Sequence, residues 1–268
     1  MLPWLLAFAV VSQAPSTPYD LDPVPHVVAS GGMLLVVGIA EAVVKLALQG
    51  AYECALTQAG DRCDALHLWG LDRYVVGNNS LVWRRVSDAG AVATFAGAAA
   101  FNLYDSFSSD SPTPGADAAT DMLVVGESVV LATFLTHTLK YAVRRPRPGQ
   151  YSPGTPTVES ELSFPSGHVS STTAAAAAYT MTFFLRHPES PWRFALLGGG
   201  VALSAVTGLG RVNGGMHFWS DVTAGAILGT TVGFLIPYLN RRHATVLTEF
   251  VPDAAGGTRW GLAVQAPY

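Results

Sequence analysis

Charge is scarce in this chain. Only 13% of its 268 residues are Asp, Glu, Lys or Arg, against roughly 25% in soluble domains. Half are hydrophobic, and mean hydropathy is +0.32. That shortage excludes an ordinary soluble surface and points to a membrane. The formal net charge of −4 leaves no global basic field, which excludes nucleic acid as a partner. Cysteine is nearly absent. Cys54 and Cys63 stand too far apart for a CxxC redox motif or a zinc knuckle. They either form one local disulfide, which needs an oxidising compartment, or stay as two thiols. Lys and Arg are missing from the apolar run 1–14, which ends Ser12-Gln13-Ala14. Small residues there suit signal peptidase, and 1–14 is read as a signal peptide. Residues 15–26 are proline-rich and read as a linker.

What is present is helical. Residues 169–185, 194–210 and 222–240 contain no Asp, Glu, Lys or Arg and are rich in Ala, Gly, Leu and Val. Each is long enough for a membrane helix, which takes roughly 17–25 residues. Residues 89–104 and 119–143 are further candidates, the second carrying Asp121, Glu127 and Lys140. Residues 27–49 hold Glu41 and Lys45 one turn apart, placed to pair along one face. The acidic, turn-rich stretch 105–121 reads as a solvent loop. The expected fold is all-α: one multi-helix membrane bundle of about five to six helices over 27–243, with the site at one end. A polar tail, 244–268, follows, as a short strand or an ordered end.

Three clusters carry chemistry: "KYAVRRPRP" at 140–148, "PSGH" at 165–168 and "GRVNGGMHFWSD" at 210–221. The helix after PSGH crosses and the next one returns, each about 25 Å long at 1.5 Å per residue. That brings Arg211 back beside His168. The loop joining the first two clusters contains no span, so all three meet at one end of the bundle. Lys140, Arg147 and Arg211 supply fixed cations. Ser166, Gly167 and His168 supply a helix N-terminus, whose amides and dipole hold anions. Asp221 lies one helical turn after His217, so its carboxylate can accept from one imidazole nitrogen and fix the tautomer of the other. Nucleophile beside orienter is the arrangement of covalent catalysis.

These residues resemble a known family. Lys140 with Arg147 and Pro148, then Pro165-Ser166-Gly167-His168, then Arg211 with His217 and Asp221 are similar to the three signature motifs of the type 2 phosphatidic acid phosphatase and vanadium haloperoxidase superfamily. The resemblance covers roughly 119–240. It implies that His217 attacks phosphorus and carries a phosphohistidine, that Asp221 orients it, and that His168 protonates the leaving oxygen and then activates water. Lys140, Arg147, Arg211, Ser166 and Gly167 would bind the phosphate oxygens. The positive site would replace a metal, so no metal or cofactor is expected, with phosphate or vanadate as the site's occupant. One departure is Gly210, where the family usually has Ser; a hydroxyl donor is lost there.

The expected activity is hydrolysis of a lipid phosphate or pyrophosphate by a membrane-embedded enzyme. Phosphatidate, phosphatidylglycerol phosphate, isoprenyl pyrophosphate and lipid A phosphate are the candidates. Alternatives are a vanadate-dependent haloperoxidase and a non-catalytic lipid-binding or transport protein. The resemblance implies a bacterial-type inner membrane with the site facing the periplasm or outside. The sequence is silent on oligomeric state. Arg144 and Arg145 read as membrane-flanking or headgroup-contacting charges, and Glu127 as a hydrogen-bonding residue within the bundle. Trp69, Trp83, Arg84 and Arg85 read as interfacial anchors. His26, His67, His137, His187 and His243 read as structural. The sequon at Asn78 reads as a chance triplet.

Overall fold

The computed structural model describes residues 17–44, 47, 54, 63–152 and 162–242, and the backbone of 245–252 and 258–265. The segment 1–14, expected as a signal peptide, and Lys45, expected to pair with Glu41, lie outside the described residues. The fold is a helical bundle. Helix α1 (Pro23–Ile39) runs into a π-helical turn, Ala40–Val44, and is followed by α2 (Leu81–Phe107) and α3 (Pro114–Val143). Then come α4 (Gly167–Arg186), α5 (Trp192–Asn213) and α6 (Trp219–Asn240). Strands β1 (Thr245–Pro252) and β2 (Thr258–Gln265) pair antiparallel at the end.

Capping explains where the elements begin. Asp22 accepts the Val24 amide at 3.0 Å and Pro23 opens α1, needing no partner for an absent N–H. Ser80 caps α2 by accepting the Trp83 amide. Helix α3 ends where Arg144 turns left-handed (φ 48°), and Pro146 and Pro148 then prevent continuation. The capped helices run past the charge-free stretches that reveal them in sequence, because caps and first turns are polar.

Among the described residues, four segments are by length and composition able to cross a membrane: Pro23–Val44, Pro114–Tyr151, Trp192–Asn213 and Trp219–Asn240. Helix α1 has no buried residue and touches the bundle along α3, where His26 Nδ1 meets Glu127 Oε2 at 2.9 Å. Helix α4 is the opposite case. It packs against α2, α3, α5 and α6, and buries Ser170, Thr172, Thr173, Thr180 and Thr182 among alanines. Its hydroxyls turn back on backbone carbonyls, as when Thr182 bonds to Ala178 at 2.9 Å. The seam with α6 is very close. A Cβ at Gly225 would come 2.7 Å from the Ser166 carbonyl, and one at Gly233 2.6 Å from the Ala174 carbonyl. Small residues permit this approach of backbones. Asp221 lies one turn before Gly225, so the same register delivers it to the start of α4.

Two expectations are corrected at the far end of the bundle. The acidic stretch 105–121 is not a solvent loop: α2 runs to Phe107, α3 starts at Pro114, and Asp117 and Asp121 are buried. Arg186, at the end of α4, explains this. It pairs with Asp105 at 2.8 Å and with Asp121, while His187 Nε2 meets Asp105 at 2.7 Å. The linker reading of 15–26 fails for residues 17–26. Thr17 donates to Asp121 at 2.7 Å, the Tyr19 hydroxyl meets Thr182 at 2.7 Å, and α1 has begun by Pro23. Buried polar partners, invisible in composition, fasten this segment.

Candidate active site

The opposite end of the bundle gathers the three motif clusters. Lys140 closes α3, His168 stands in the first turn of α4, and Arg211 ends α5. His217 follows on the turn before α6. That turn is tightly closed: Met216 donates to the Arg211 carbonyl and Gly215 to the Val212 carbonyl, each at 3.0 Å. Gly215 has φ +68°, and a Cβ there would overlap the Asn78 carbonyl, so only glycine fits. The Asn78 amide donates to the Val212 carbonyl at 3.2 Å, which makes that asparagine a brace for the turn.

A cavity of about 420 Å³ opens at this end, lined by Lys140, Arg147, Gly167, His168, Arg211 and His217 among others. Six of the eight residues singled out by sequence are brought together on its wall. Ser166 and Asp221 lie behind it. The Ser166 amide donates to the Asp221 carbonyl at 3.0 Å, so it is not a phosphate donor as expected. The amides left at the helix start are those of Gly167, His168 and Val169. Ser166 Oγ is buried and makes no hydrogen bond.

His217 is held by the main chain. Its Nδ1 lies 2.7 Å from the Ser163 carbonyl. A carbonyl oxygen only accepts, so Nδ1 carries the proton and Nε2 keeps its lone pair. Burial pushes the imidazole down to about 3; Asp221 opposes the shift, and the Lys140 and Arg147 charges add to it. The ring is therefore neutral at physiological pH. Asp221 was expected as the direct orienter, but its Oδ2 stands 3.7 Å from Nδ1. It acts one step back, accepting the Ser163 hydroxyl at 2.6 Å and the Phe218 amide at 2.9 Å.

Arg145 was read as a membrane-flanking or headgroup-contacting charge and is instead part of this frame. One guanidinium nitrogen bonds Asp221 at 2.6 Å and the other bonds Asp72 at 2.9 Å. Its plane stacks 4.3 Å above the Phe218 ring. Asp72 also accepts from Ser220, at 3.1 Å from the amide and 2.5 Å from the hydroxyl. Sequence reasoning missed Arg145, Asp72 and Ser163. In "RRPRP" the spacing from Lys140 singles out Arg147 alone, and Asp72 is 149 positions from Asp221. A second missed carboxylate is Asp88, exposed at the mouth, 3.2 Å from His168 Nε2 and 3.5 Å from Arg211.

Gly210 has a packing reason. A Cβ there would lie 2.7 Å from both the Ser87 Cβ and the Trp83 carbonyl. The close approach of α2 leaves no room for serine. Beside the site, Cys54 and Cys63 are joined as a disulfide. Cys63 donates to the Gln150 carbonyl at 3.1 Å and packs in a cluster with Tyr151, Val212 and Phe218. Among the described residues, no three carboxylates, imidazoles or thiols converge as a metal site.

The family model described as "PAP2 superfamily" matches residues 121–244, the stretch that carries all three motifs. The resemblance read from those motifs is thereby shown. A curated relative, decaprenylphosphoryl-5-phosphoribose phosphatase of Mycobacterium tuberculosis, is 35% identical over 120 residues. That match covers 43% of this chain and 59% of the relative, so it spans less than two thirds of the relative's length. Two solved structures are similar. One is the first transmembrane PAP2 type phosphatidylglycerolphosphate phosphatase from Bacillus subtilis, at 21% identity and TM-score 0.48, covering 81% of this chain and 94% of that one. The other is Aquifex aeolicus LpxE, at 21% identity and TM-score 0.43, covering 62% of this chain and 92% of that one.

Proposed function

We propose that this PAP2-like membrane protein is a phosphatase that hydrolyses a lipid phosphate through a phosphohistidine on His217. The observation that carries the reading is the tautomer of His217: Nδ1–H is committed to Ser163, and Nε2 is unprotonated on the wall shared with Lys140, Arg147 and Arg211. In the first step Nε2 attacks phosphorus and the bond to the leaving oxygen breaks; His168, which must enter as the imidazolium that Asp88 at 3.2 Å and the arriving phosphate charge favour, gives that oxygen its proton. In the second, His168 takes a proton from water, the water oxygen attacks phosphorus, and phosphate leaves with His217 restored. The three cations and the Gly167 and His168 amides stabilise the charge on the equatorial oxygens. This chemistry needs no metal. The tail of a lipid substrate stays among the apolar helices while its phosphate reaches the bundle end.

The relative's named substrate carries a phosphorylated ribose on a polyprenyl phosphate, and a lipid of that kind belongs first in any panel. The disulfide at the site's end of the molecule supports placing this face in an oxidising compartment, outside a bacterial-type inner membrane. The test is phosphate release from a panel of lipid phosphates in detergent with EDTA, for the wild type and His217→Ala. Release that survives EDTA and vanishes in the variant is expected. No release from any lipid would overturn the reading and leave a vanadate-dependent oxidase or a lipid binder to be assayed.

A further inference from the structure

The phosphate-binding groups occupy only part of the cavity. A volume of about 420 Å³ falls in the range that encloses a drug-sized molecule, not a lone phosphate. One wall is built from Glu41, Thr133 and His137, none of which the proposed chemistry uses. Glu41 sits in the π-helical turn Ala40–Val44 that follows α1. Such turns re-aim side chains and recur at functional sites. Here the carboxylate is carried to α3, where it accepts the Tyr141 hydroxyl at 2.9 Å and lies 3.3 Å from His137 Nε2. His137 Nδ1 donates to the Thr133 carbonyl at 2.8 Å, which fixes the ring, so its Nε2 supports Glu41 by donating as the imidazolium. His137 and Lys140 are three residues apart on α3, so the group stands one turn from the phosphate cations. Glu41 lines the cavity, and its side chain is 38% exposed. Ionisable groups among apolar helices are costly to keep and mark substrate sites.

We propose that Glu41, backed by His137 and Tyr141, accepts a hydroxyl of the substrate's headgroup, so that the preferred substrate is a lipid whose phosphorylated group is a polyol or a sugar. The inference rests on the phosphatase reading above. A carboxylate is an acceptor that takes O–H donors, and it has no favourable contact to offer a second phosphate or an alkyl chain. The geometry therefore sorts substrates by what lies between the scissile phosphate and the tail. A phosphorylated glycerol or ribose headgroup presents hydroxyls to that wall; phosphatidate and a polyprenyl diphosphate do not.

The experiment measures kcat/KM for four lipids in detergent: phosphorylated glycerol and phosphorylated ribose headgroups against phosphatidate and a polyprenyl diphosphate. The wild type is compared with Glu41→Gln and His137→Gln. The hydroxyl-bearing lipids are expected to lead in the wild type. In Glu41→Gln, the ratio of their kcat/KM to that for phosphatidate is expected to fall about ten- to hundredfold, the scale of one hydrogen bond to a charged group. His137→Gln is expected to move the ratio in the same direction. A ratio unchanged in both variants, or a uniform loss on all four lipids, would overturn the proposal while leaving the phosphatase reading intact. Release from none of the four by the wild type would overturn both.

Discussion

The backbone carbonyl of Ser163 lies 2.7 Å from Nδ1 of His217, an ångström closer than the Asp221 carboxylate at 3.7 Å. The tautomer of the histidine is thus set by main chain. Asp221 holds that main chain in place through the Ser163 hydroxyl. In Asp221→Asn the carbonyl still faces Nδ1, so loss of kcat is expected to be about ten- to hundredfold, the scale of removing a supporting partner. His217→Ala should retain nothing above background. Phosphate-release kinetics of both variants check this, and equal losses would return Asp221 to the role of direct orienter.

Arg145 bridges two buried carboxylates, and removing one partner of such a set leaves a charge uncompensated. Arg145→Met is expected to lower stability by about 3–5 kcal/mol and to reduce kcat. Arg145→Lys recovers little, because one ammonium cannot reproduce a two-nitrogen fork. Thermal melts in detergent give the first quantity. A cycle pairing Arg145→Met with Asp72→Asn gives the coupling, which should be far from additive.

The pH dependence has a definite sign. The folded-state pKa of His217 is pushed down to about 3, and the unfolded value is near 6.5. Between these values the unfolded chain binds more protons than the folded one, so this residue's effect lowers stability as pH falls through that window. Above about 6.5 it contributes no pH dependence. Nitrogen NMR of labelled histidine in detergent should find His217 neutral at pH 5. A ring that titrates near 6.5 would contradict the burial argument.

Gly210→Ser installs the residue usual in the family that the motifs resemble, and it is expected to harm this protein. The added atoms meet Ser87 and the Trp83 carbonyl, and overpacking of this kind costs about 1–3 kcal/mol. A lowered melting temperature with reduced activity is the expected result. A gain in kcat at unchanged stability would count against the packing argument.

Arg186 ties Asp105 and Asp121 at the end remote from the site. Arg186→Met is expected to lower the melting temperature with KM unchanged. A shift in KM would mean that the two ends communicate.

The helices were legible because lipid-facing segments lack charge over whole turns, and that signal needs no knowledge of partners. The motif residues were legible by spacing within short stretches, and the structure brings Lys140, Arg147, His168, Arg211 and His217 to one cavity. What stayed hidden depends on pairs distant in sequence. Asp105 and Asp121 read as solvated until Arg186 stands beside them. Asp72 and Arg145 carry no spacing signal, because the contacts that define them run between a short 3₁₀ turn, the end of α3 and the start of α6. The Ser166 amide looked like an anion donor because the register of α6 on α4 cannot be read from either helix alone.

Helix α4 carries His168, and yet it falls outside the four segments apolar enough to cross a membrane alone. Its threonines and serines are tolerable because α2, α3, α5 and α6 surround them. Biogenesis must therefore be cooperative at this point. A nascent chain that has released α2 and α3 but not yet α5 and α6 offers α4 only part of its shelter, so full burial of α4 waits on segments made after it. The histidine on its first turn shares a cavity with His217 only once the turn into the last helix is in place, so an incompletely inserted chain also lacks that assembled cavity.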